Sequence, residues 1–371
     1  MPWLVDRRMM CGGLVSWIAG LRPGASLGHS DPIQSAANRA AVAPGVPGVI
    51  VQRSNDQSTE TWTAGRVRCD GGPLITEHTP FHTASLGKLF TAAAILQQAE
   101  RRTLDLDAPV VDYVGLAVLR DLVVIDGIDH RDDITVRHLL SHQSGVPVLD
   151  DAPSFQAAVL GSPERIWSPH DLLDAARGLK PTGPPGAQTL YSSTNYHLLG
   201  LVLEHATGVA YHCVIRRDVL DPLGLWRTHH SVHEWLRVRD RFPPELHHYV
   251  GDYDLTQHHP SFEFADGGFV STAGDMTRFA RLLAHGALFQ DPSTWQTMLG
   301  PARQSGLHQG LGPMVEWNDG IARSFFHAGF WGLGLRAAVD GSWATLAALG
   351  QSNSDPWELS SLVDPCAEDA S

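Results

Sequence analysis

The sequence predicts an α/β plus α fold, in which an antiparallel sheet is built from both chain ends and flanked by helices, with a mostly helical lobe inserted between them. Segments rich in β-branched residues lie near the start of the chain, at 46–52 and 60–67. Segments with apolar residues three and four positions apart fill the middle. Strand-like segments return at 321–329, 333–341 and 342–351, so strands from both ends are expected in one sheet.

The individual elements follow from local signals along the chain. Residues 31–42 are typical of a surface helix. The segment after Gly87 is rich in alanine and leucine at helical spacing and predicts a long buried helix that begins at 83–85. The pair Asp340-Gly341 predicts a hairpin turn between two late strands. Further helices are expected at 134–142, 195–208 and 271–286, of which the last two end at a glycine.

The chain ends are expected to lie outside the folded unit. Arg7 and Arg8 precede a mildly apolar segment at 9–21 that is similar to a short export signal, but Asp6 and two internal glycines weaken the similarity. A cytoplasmic location is therefore favoured, with export to the periplasm or the medium as the alternative. The predicted division is a leader or disordered segment at 1–30, a folded unit at 31–355 (sheet lobe 31–99 plus 290–355, helical lobe 100–289) and a tail at 356–371.

The composition argues against several classes of function. The 27 Lys and Arg residues against 40 Asp and Glu give a net charge of −13, which repels nucleic-acid phosphates and anionic lipid surfaces. No apolar stretch approaches the ~18 residues that a membrane-spanning helix needs. The four cysteines stand singly, without metal-ligand spacing. A small-molecule partner is expected, and the composition makes no prediction of oligomeric state.

Lysine is rare in this chain, and its position is informative. Lys88 and Lys180 are the two lysines among 27 basic residues. Ser85 precedes Lys88 by three positions at the start of the predicted helix, so both side chains lie on one face. A serine hydroxyl needs a base to become a nucleophile, and a lysine, with an ordinary pKa of about 10.4, can supply one if burial lowers that pKa. The pair predicts a nucleophilic serine, whereas Lys180 is expected to be an ordinary loop residue.

Two further residues are candidates for the same chemistry. Tyr191 follows a Pro-Gly loop and directly precedes a predicted helix, although a tyrosine packed in a loop fits that position as well. His327 ends an apolar strand-like segment and is followed closely by Gly329, so a substrate could approach the backbone there. A buried structural histidine is the alternative for His327.

Several blocks of the sequence resemble those of the penicillin-recognising serine hydrolases. That family includes class C β-lactamases, D-Ala-D-Ala carboxypeptidases, D-aminopeptidases and family VIII esterases. The resemblance covers roughly residues 35–355 and implies a β-lactamase/penicillin-binding-protein-like fold that uses no cofactor. The blocks, in the family's order, are TASLGK (83–88), ERRTLDLDAPV (100–110), ITVRHLLSHQSGVP (134–147), PPGAQTLYSSTNYHLLGLVLEHATG (184–208), DPLGLWRT (221–228), DGGFVSTAGDMTRFARLL (266–283) and FFHAGFWG (325–332).

The resemblance implies a role for each matching residue. The S-x-x-K motif falls on Ser85, the nucleophile that becomes acylated, and on Lys88, the proton acceptor. The tyrosine of the Y-x-N motif falls on Tyr191, which would relay protons to the leaving group. The K/H-T/S-G motif falls on 327–329 at the edge of the site. The backbone N–H groups of Ser85 and Phe330 would form the oxyanion hole.

Two departures from the family pattern affect the expected substrate. Ser193 replaces the asparagine of Y-x-N and is a shorter donor, and His327 stands where class C β-lactamases usually have lysine, so efficient β-lactam hydrolysis is not expected. Phe330 and Trp331 predict an aromatic wall that suits an apolar acyl or alcohol group. The sequence thus predicts a serine hydrolase for small carboxylic esters. The alternatives, in order, are a D-amino-acid peptidase, amidase or D,D-carboxypeptidase, and then a weak β-lactamase or an acyltransferase.

Two other classes of protein fit the sequence less well. Twenty histidines, with doublets at 229–230, 247–248 and 258–259, raise the question of a metal site. No HExxH motif or completing carboxylate accompanies them, so solvated surface histidines and no bound metal are expected. An inactive penicillin-binding sensor or scaffold is the non-enzymatic alternative, and the presence of a matched serine, lysine and tyrosine argues against it.

Overall fold

The computed structural model describes residues 31–352 and 354–364. The leader or disordered segment predicted at 1–30, with its similarity to an export signal, lies outside these residues. Strands from both chain ends form one large antiparallel sheet flanked by helices, which confirms the predicted fold class. The division into a sheet lobe and a helical lobe stays a prediction.

The main sheet joins the two ends of the chain. Its eight strands follow the order β11-β12-β13-β14-β15-β1-β2-β3, and every neighbouring pair is antiparallel. The ends meet where β1 pairs with β15, with Ile50 opposite Ala348. The strands are β1 (Gly48–Asn55), β2 (Thr59–Arg68), β3 (Gly71–Leu74), β4 (Phe81–His82), β5 (Val124–Ile125), β6 (Ile128–Asp129), β7 (His229–His230), β8 (Tyr249–Val250), β9 (Tyr253–Asp254), β10 (Phe269–Ser271), β11 (Gly306–Gln309), β12 (Met314–Asn318), β13 (Ile321–Gly329), β14 (Leu333–Ala338) and β15 (Trp343–Ala348).

The helices lie mainly in the middle of the chain, as their periodicity predicts. The predicted ends at Gly208 and near Gly286 are confirmed, since both glycines adopt positive φ angles of 66° and 71°. The helices are α1 (Pro32–Ala40), α2 (Lys88–Glu100), α3 (Val111–Val114), α4 (Leu116–Leu119), α5 (Val136–Leu140), α6 (Pro153–Gly161), α7 (Pro169–Ala176), α8 (Thr194–Thr207), α9 (Tyr211–Ile215), α10 (Leu236–Val238), α11 (Phe264–Gly267), α12 (Ala273–Ala284), α13 (Pro292–Leu299) and α14 (Trp357–Leu362).

The sheet is buried on both faces. Along β1, Val49 and Val51 belong to one apolar cluster, whereas Ile50 belongs to the other, because successive side chains of a strand point to opposite faces. Helices α1 and α14 pack on the first face, and α12 packs on the second. This double covering explains why β1 and β15 are buried at nearly every position, including polar positions such as Gln52 and Ser54.

Helix α14 corrects the boundary predicted at 355. Leu359 and Val363 are buried and join the apolar cluster that also contains Ala36 and Ala37 of α1. The segment 357–363 therefore belongs to the folded unit and not to a tail. A helix of six residues carries too little periodicity to be predicted, and it is stable here because of tertiary packing.

Helix α2 forms the centre of the core. Its residues from Lys88 to Gln98 are buried all round, as expected of a helix that is surrounded by protein. It packs against α8, α9 and α13, and it follows directly on a 3₁₀ turn at Ala84–Gly87. The long buried helix predicted to begin at 83–85 is thus confirmed.

The histidine doublets are less exposed than the sequence predicts. His230 on β7 and His248 beside β8 are buried, whereas their neighbours His229 and His247 are partly buried. The doublets at 229–230 and 247–248 lie where the chain is extended, so one side chain of each points into the protein, whereas both histidines of the third doublet are partly buried. In the part of the chain that the structure describes, no group of three or more His, Cys, Asp or Glu side chains has the geometry to hold a metal ion.

Among the described helices, none alone is long and apolar enough to cross a membrane. One pair, Thr194–Thr207 with Tyr211–Leu220, passes by length and composition together but is bent by 77°. Most of the first helix of this pair is buried inside the protein.

Candidate active site

Ser85 lies in the 3₁₀ turn that connects β4 to α2. The preceding residue, Ala84, has a φ of +44°, a backbone conformation that is strained for a residue with a side chain. The turn is held against β10 and α11, because Thr83 donates from its backbone N–H to the Phe269 carbonyl at 2.9 Å and from Oγ1 to the Gly267 carbonyl at 3.0 Å. These contacts fix the direction of the Ser85 side chain.

The close approach of Gly267 to this turn makes a testable prediction. A Cβ atom at Gly267 would lie 2.7 Å from both the carbonyl carbon and the oxygen of Ala84, and backbone atoms cannot move aside cheaply. Gly267→Ala should therefore displace Ser85 and lower kcat by about 10²-fold, with a loss of about 1–3 kcal/mol in unfolding free energy. Gly274→Ala is the matched control, because nothing lies within 4 Å of its added Cβ. Equal kinetics of the two variants would contradict the prediction.

Lys88 places its amine beside Ser85. The side chain is 0% exposed, and its Nζ donates to Ser85 Oγ at 3.0 Å and to Ser193 Oγ at 3.3 Å. It also donates to the backbone carbonyl of Asp266 at 3.1 Å and lies 3.2 Å from Asp266 Oδ2. The predicted contact between Ser85 and Lys88 is present, and a carboxylate is its third neighbour.

The charge state expected for Lys88 is the reverse of the sequence-based prediction. Burial alone would lower its pKa, but Asp266 together with Tyr191 and Asp150 outweighs burial, and the pKa of Lys88 is raised above its ordinary value. Lys88 is therefore an ammonium in the resting site. The prediction that burial makes it a neutral base is wrong in this structure, because it did not include the buried partner.

Tyr191 joins the same cluster. Its ring centroid lies 5.1 Å from Lys88 Nζ, and its buried hydroxyl interacts with Lys88 and Ser85. Burial raises the pKa of this phenol, and the positive charge of Lys88 opposes that rise. The ring packs against His142 with centroids 4.4 Å apart, and the neighbouring Ser192 N–H donates to His142 Nδ1 at 3.2 Å. His142 therefore positions Tyr191, a function that the sequence pattern did not indicate.

The remaining predicted residues lie at different depths around this cluster. Ser193 is buried against Lys88, and Phe330 lines the pocket beside Ser85. Gly329 packs on the turn, since a Cβ there would lie 3.0 Å from the Thr83 carbonyl oxygen.

His327 is buried behind Tyr191, with ring centroids 6.1 Å apart, and its Nδ1 lies 2.7 Å from the Ala328 oxygen. Burial and the nearby Lys88 charge lower the pKa of His327 to about 4, so its imidazole is neutral.

A pocket of about 150 Å³ opens over Ser85. Part of its lining is apolar and consists of Phe155, Val159 and Phe262 together with the aromatic wall of Phe330 and Trp331. The lining also contains several carboxyl groups, a feature that the sequence pattern did not indicate. Its carboxyl groups come from distant parts of the chain: Asp150, Asp151, Glu263 and Asp266. The DGG block at 266–268 was a signal for Asp266, but spacing alone did not indicate its contact with Lys88.

The fold and the site together define a serine hydrolase with a β-lactamase/penicillin-binding-protein-like fold. The model of the Beta-lactamase family matches residues 35–356, and the chain belongs to that family. The family resemblance seen in the sequence is thereby confirmed. The roles that it implies for individual residues stay predictions.

Relatives with different activities share this fold. Monacolin J acid methylbutanoyltransferase of Aspergillus terreus is 26% identical over 311 residues, which cover 76% of this chain and 73% of that protein. Penicillin-binding protein 4* of Bacillus subtilis is 26% identical over 287 residues, which cover 70% of this chain and 57% of that protein. The solved structure of a D-stereospecific amidohydrolase from Streptomyces sp. is 28% identical, with a TM-score of 0.76, and the match covers 90% of this chain and 98% of that one.

Proposed function

We propose that this hydrolase cleaves small carboxylic esters through an acyl-enzyme formed on Ser85. The observation that carries the proposal is the 3.0 Å contact between Ser85 Oγ and Lys88 Nζ beside a pocket whose lining is partly apolar. A hydroxyl beside a buried amine is the arrangement of an activated nucleophile. The aromatic wall of Phe330 and Trp331 offers a surface for an apolar acyl group.

Proton transfer in this mechanism involves both Lys88 and Tyr191. Lys88 is charged and Tyr191 is neutral at rest, so the pair has to lose one proton before it can accept the proton of Ser85. Ser85 Oγ then attacks the carbonyl carbon, its proton passes to the pair, and the pair protonates the leaving alkoxide. Water repeats the sequence on the acyl-enzyme, releasing the acid and restoring Ser85.

The oxyanion of each tetrahedral intermediate is assigned to the backbone N–H groups of Ser85 and Phe330. The close packing of Gly329 on Thr83 brings the end of β13 beside the turn that carries Ser85. Donors held by a strand and a turn are oriented before the reaction starts, which makes them effective in stabilising the intermediate. Loss of one such donor typically lowers kcat by about 10²–10³-fold.

A second candidate, hydrolysis of D-amino-acid amides, is favoured by the carboxyl groups in the lining of the pocket. Asp266 is paired with Lys88 and Glu263 faces His82, so the attraction for a protonated amine on the acyl group depends mainly on Asp150. The Streptomyces relative is named a D-stereospecific amidohydrolase, which is consistent with this candidate. Acyl transfer to an alcohol in place of water would use the same acyl-enzyme, and the Aspergillus relative is named a methylbutanoyltransferase.

The test is a substrate panel combined with trapping of the intermediate. The panel contains p-nitrophenyl butyrate, D- and L-phenylalanine amide, and nitrocefin. The ester should give the highest kcat/KM, and rapid quenching followed by peptide mass spectrometry should find the butyryl group on Ser85. A higher kcat/KM for D-phenylalanine amide would select the second candidate. A dominant nitrocefin rate, or an acyl group on another residue, would overturn the proposal.

The ion pair between Lys88 and Asp266 predicts the pH dependence of the reaction. Because Asp266 raises the pKa of Lys88, the pair loses its first proton only at alkaline pH, and kcat/KM should rise with pH. Asp266→Asn removes the charge that keeps the proton in place. The midpoint of the rise should then move to lower pH, by about 1–3 units for an opposite charge at this distance.

The check is the pH profile of kcat/KM for the parent and the variant. Asp254→Asn is the matched control, since that carboxylate pairs with His247 at 2.7 Å and lies outside the catalytic pocket. A midpoint that stays in place in Asp266→Asn, or moves to higher pH, would show that Asp266 does not hold a proton on the pair.

A further inference from the structure

His82 is a buried, charged residue that the proposed mechanism does not use. It lies on β4, three positions before Ser85, and is 6% exposed. Its backbone pairs with Val270 of β10, in the small sheet that supports the catalytic turn. A buried ionisable group so close to a nucleophile calls for a structural or functional reason.

Two carboxylates face the imidazole from opposite sides. His82 Nε2 lies 3.5 Å from Glu245 Oε2, and His82 Nδ1 lies 3.6 Å from Glu263 Oε2. Burial opposes a charge on His82, but both carboxylates favour it, and its pKa is raised to about 9. His82 is therefore an imidazolium that lies between these two carboxyl groups.

Glu263 connects this imidazolium to the aromatic wall. Trp331 donates from Nε1 to Glu263 Oε1 at 3.2 Å. The ring of His248 lies between His82 and Trp331, with centroids 4.5 Å and 4.4 Å away, respectively. Trp331 in turn packs edge-on against Phe330, with centroids 4.7 Å apart. The position of the wall thus depends on where Glu263 is held.

We propose that His82 is a specificity-determining residue, which acts by holding Glu263 and, through it, the aromatic wall against which the acyl chain of the substrate packs. This inference rests on the proposed ester hydrolysis. His82 does not touch the reacting atoms, so it is a positioning residue. Loss of its charge would leave Glu263 without its cation and allow Trp331 to move away from the acyl chain.

The experiment compares kcat/KM for p-nitrophenyl butyrate and p-nitrophenyl acetate. A substrate methylene in a fitted apolar pocket is worth roughly tenfold or more in selectivity. In His82→Gln the butyrate-to-acetate ratio should fall by about tenfold, while kcat/KM for acetate changes little. The matched control is His230→Gln, another buried histidine of the same small sheet, which lines neither this pocket nor the cavity next to His82.

The pH dependence of this ratio separates positioning from a general loss of stability. His82 keeps its proton below its raised pKa and loses it as the pH rises through about 9. The butyrate-to-acetate ratio of the parent should therefore fall as the pH rises through about 9. The ratio of His82→Gln should be low at every pH and should not change with pH. A pH effect on the reaction of Ser85 itself changes kcat/KM equally for both esters, so it cancels in the butyrate-to-acetate ratio.

Several titratable or charged groups surround His82. Those that face it are Glu245, Glu263 and His248, and the adjoining cavity adds Glu164, Arg239, His258 and His259.

A second variant keeps the proposal testable if His82→Gln does not fold. Glu263→Gln retains an oxygen for Trp331 and removes the charge that faces His82, so it should also lower the ratio. If both variants keep the butyrate-to-acetate ratio of the parent and their ester hydrolysis still depends on Ser85, the role of His82 is overturned. The proposed function would then remain in place. Absence of ester hydrolysis in the parent would instead overturn the proposed function.

Discussion

Replacement of Ser85 by alanine should abolish ester hydrolysis, with kcat falling roughly 10⁴- to 10⁶-fold, as expected when a covalent nucleophile is removed. The hydroxyl is the atom that forms the acyl bond, and no other group in the site can replace it at the same position. The backbone donors and the pocket would remain, so substrate binding should persist with little change. The variant should therefore bind ester analogues without forming an adduct.

The measurement is the rate of p-nitrophenyl butyrate hydrolysis together with labelling by a fluorophosphonate. The parent should be labelled and Ser85→Ala should not. Ser54→Ala is the matched control, because Ser54 is a buried serine whose hydroxyl contacts Thr59 Oγ1 at 3.1 Å within the main sheet. Its stability and activity should remain close to those of the parent. Retention of a tenth or more of the parent rate in Ser85→Ala would eliminate this serine as the nucleophile.

Replacement of Lys88 by methionine should lower both activity and stability. Ser85 loses its 3.0 Å neighbour, and Asp266 is left as an uncompensated buried charge. Removal of one partner of a buried ion pair typically costs about 3–5 kcal/mol of unfolding free energy. The loss in kcat should be comparable to that of Ser85→Ala, since residues that act as one catalytic unit have non-additive effects.

A double variant separates these two losses. Lys88→Met combined with Asp266→Asn removes both charges, so most of the stability should return while kcat stays low. Urea denaturation and ester kinetics on the two single variants and the double variant complete the cycle. Additive effects on stability would show that the two side chains are not coupled. Recovery of activity in the double variant would show that Lys88 is not part of the catalytic unit.

Much of the fold could be predicted because its elements carry local signals. The strand-like composition of the late segments and the helical spacing after Gly87 are properties of neighbouring residues. Strands β11 and β12 and helix α14 were missed, since each is no longer than six residues and depends on packing against the sheet. The partly buried state of the histidine doublets was missed for a related reason, because burial depends on which side of an extended segment faces the core.

The site shows the same distinction between local and long-range information. A serine three positions before a lysine at a helix start shares a face with it, whatever surrounds the helix, so the sequence by itself determined the contact between Ser85 and Lys88. Asp266 lies 178 positions from Lys88, and only the folded chain brings its carboxylate within 3.2 Å. Charges act through space, with a strength that depends on distance and burial and not on sequence separation. For that reason the nucleophile could be read from the motif, whereas the protonation of its neighbour was decided by the tertiary structure.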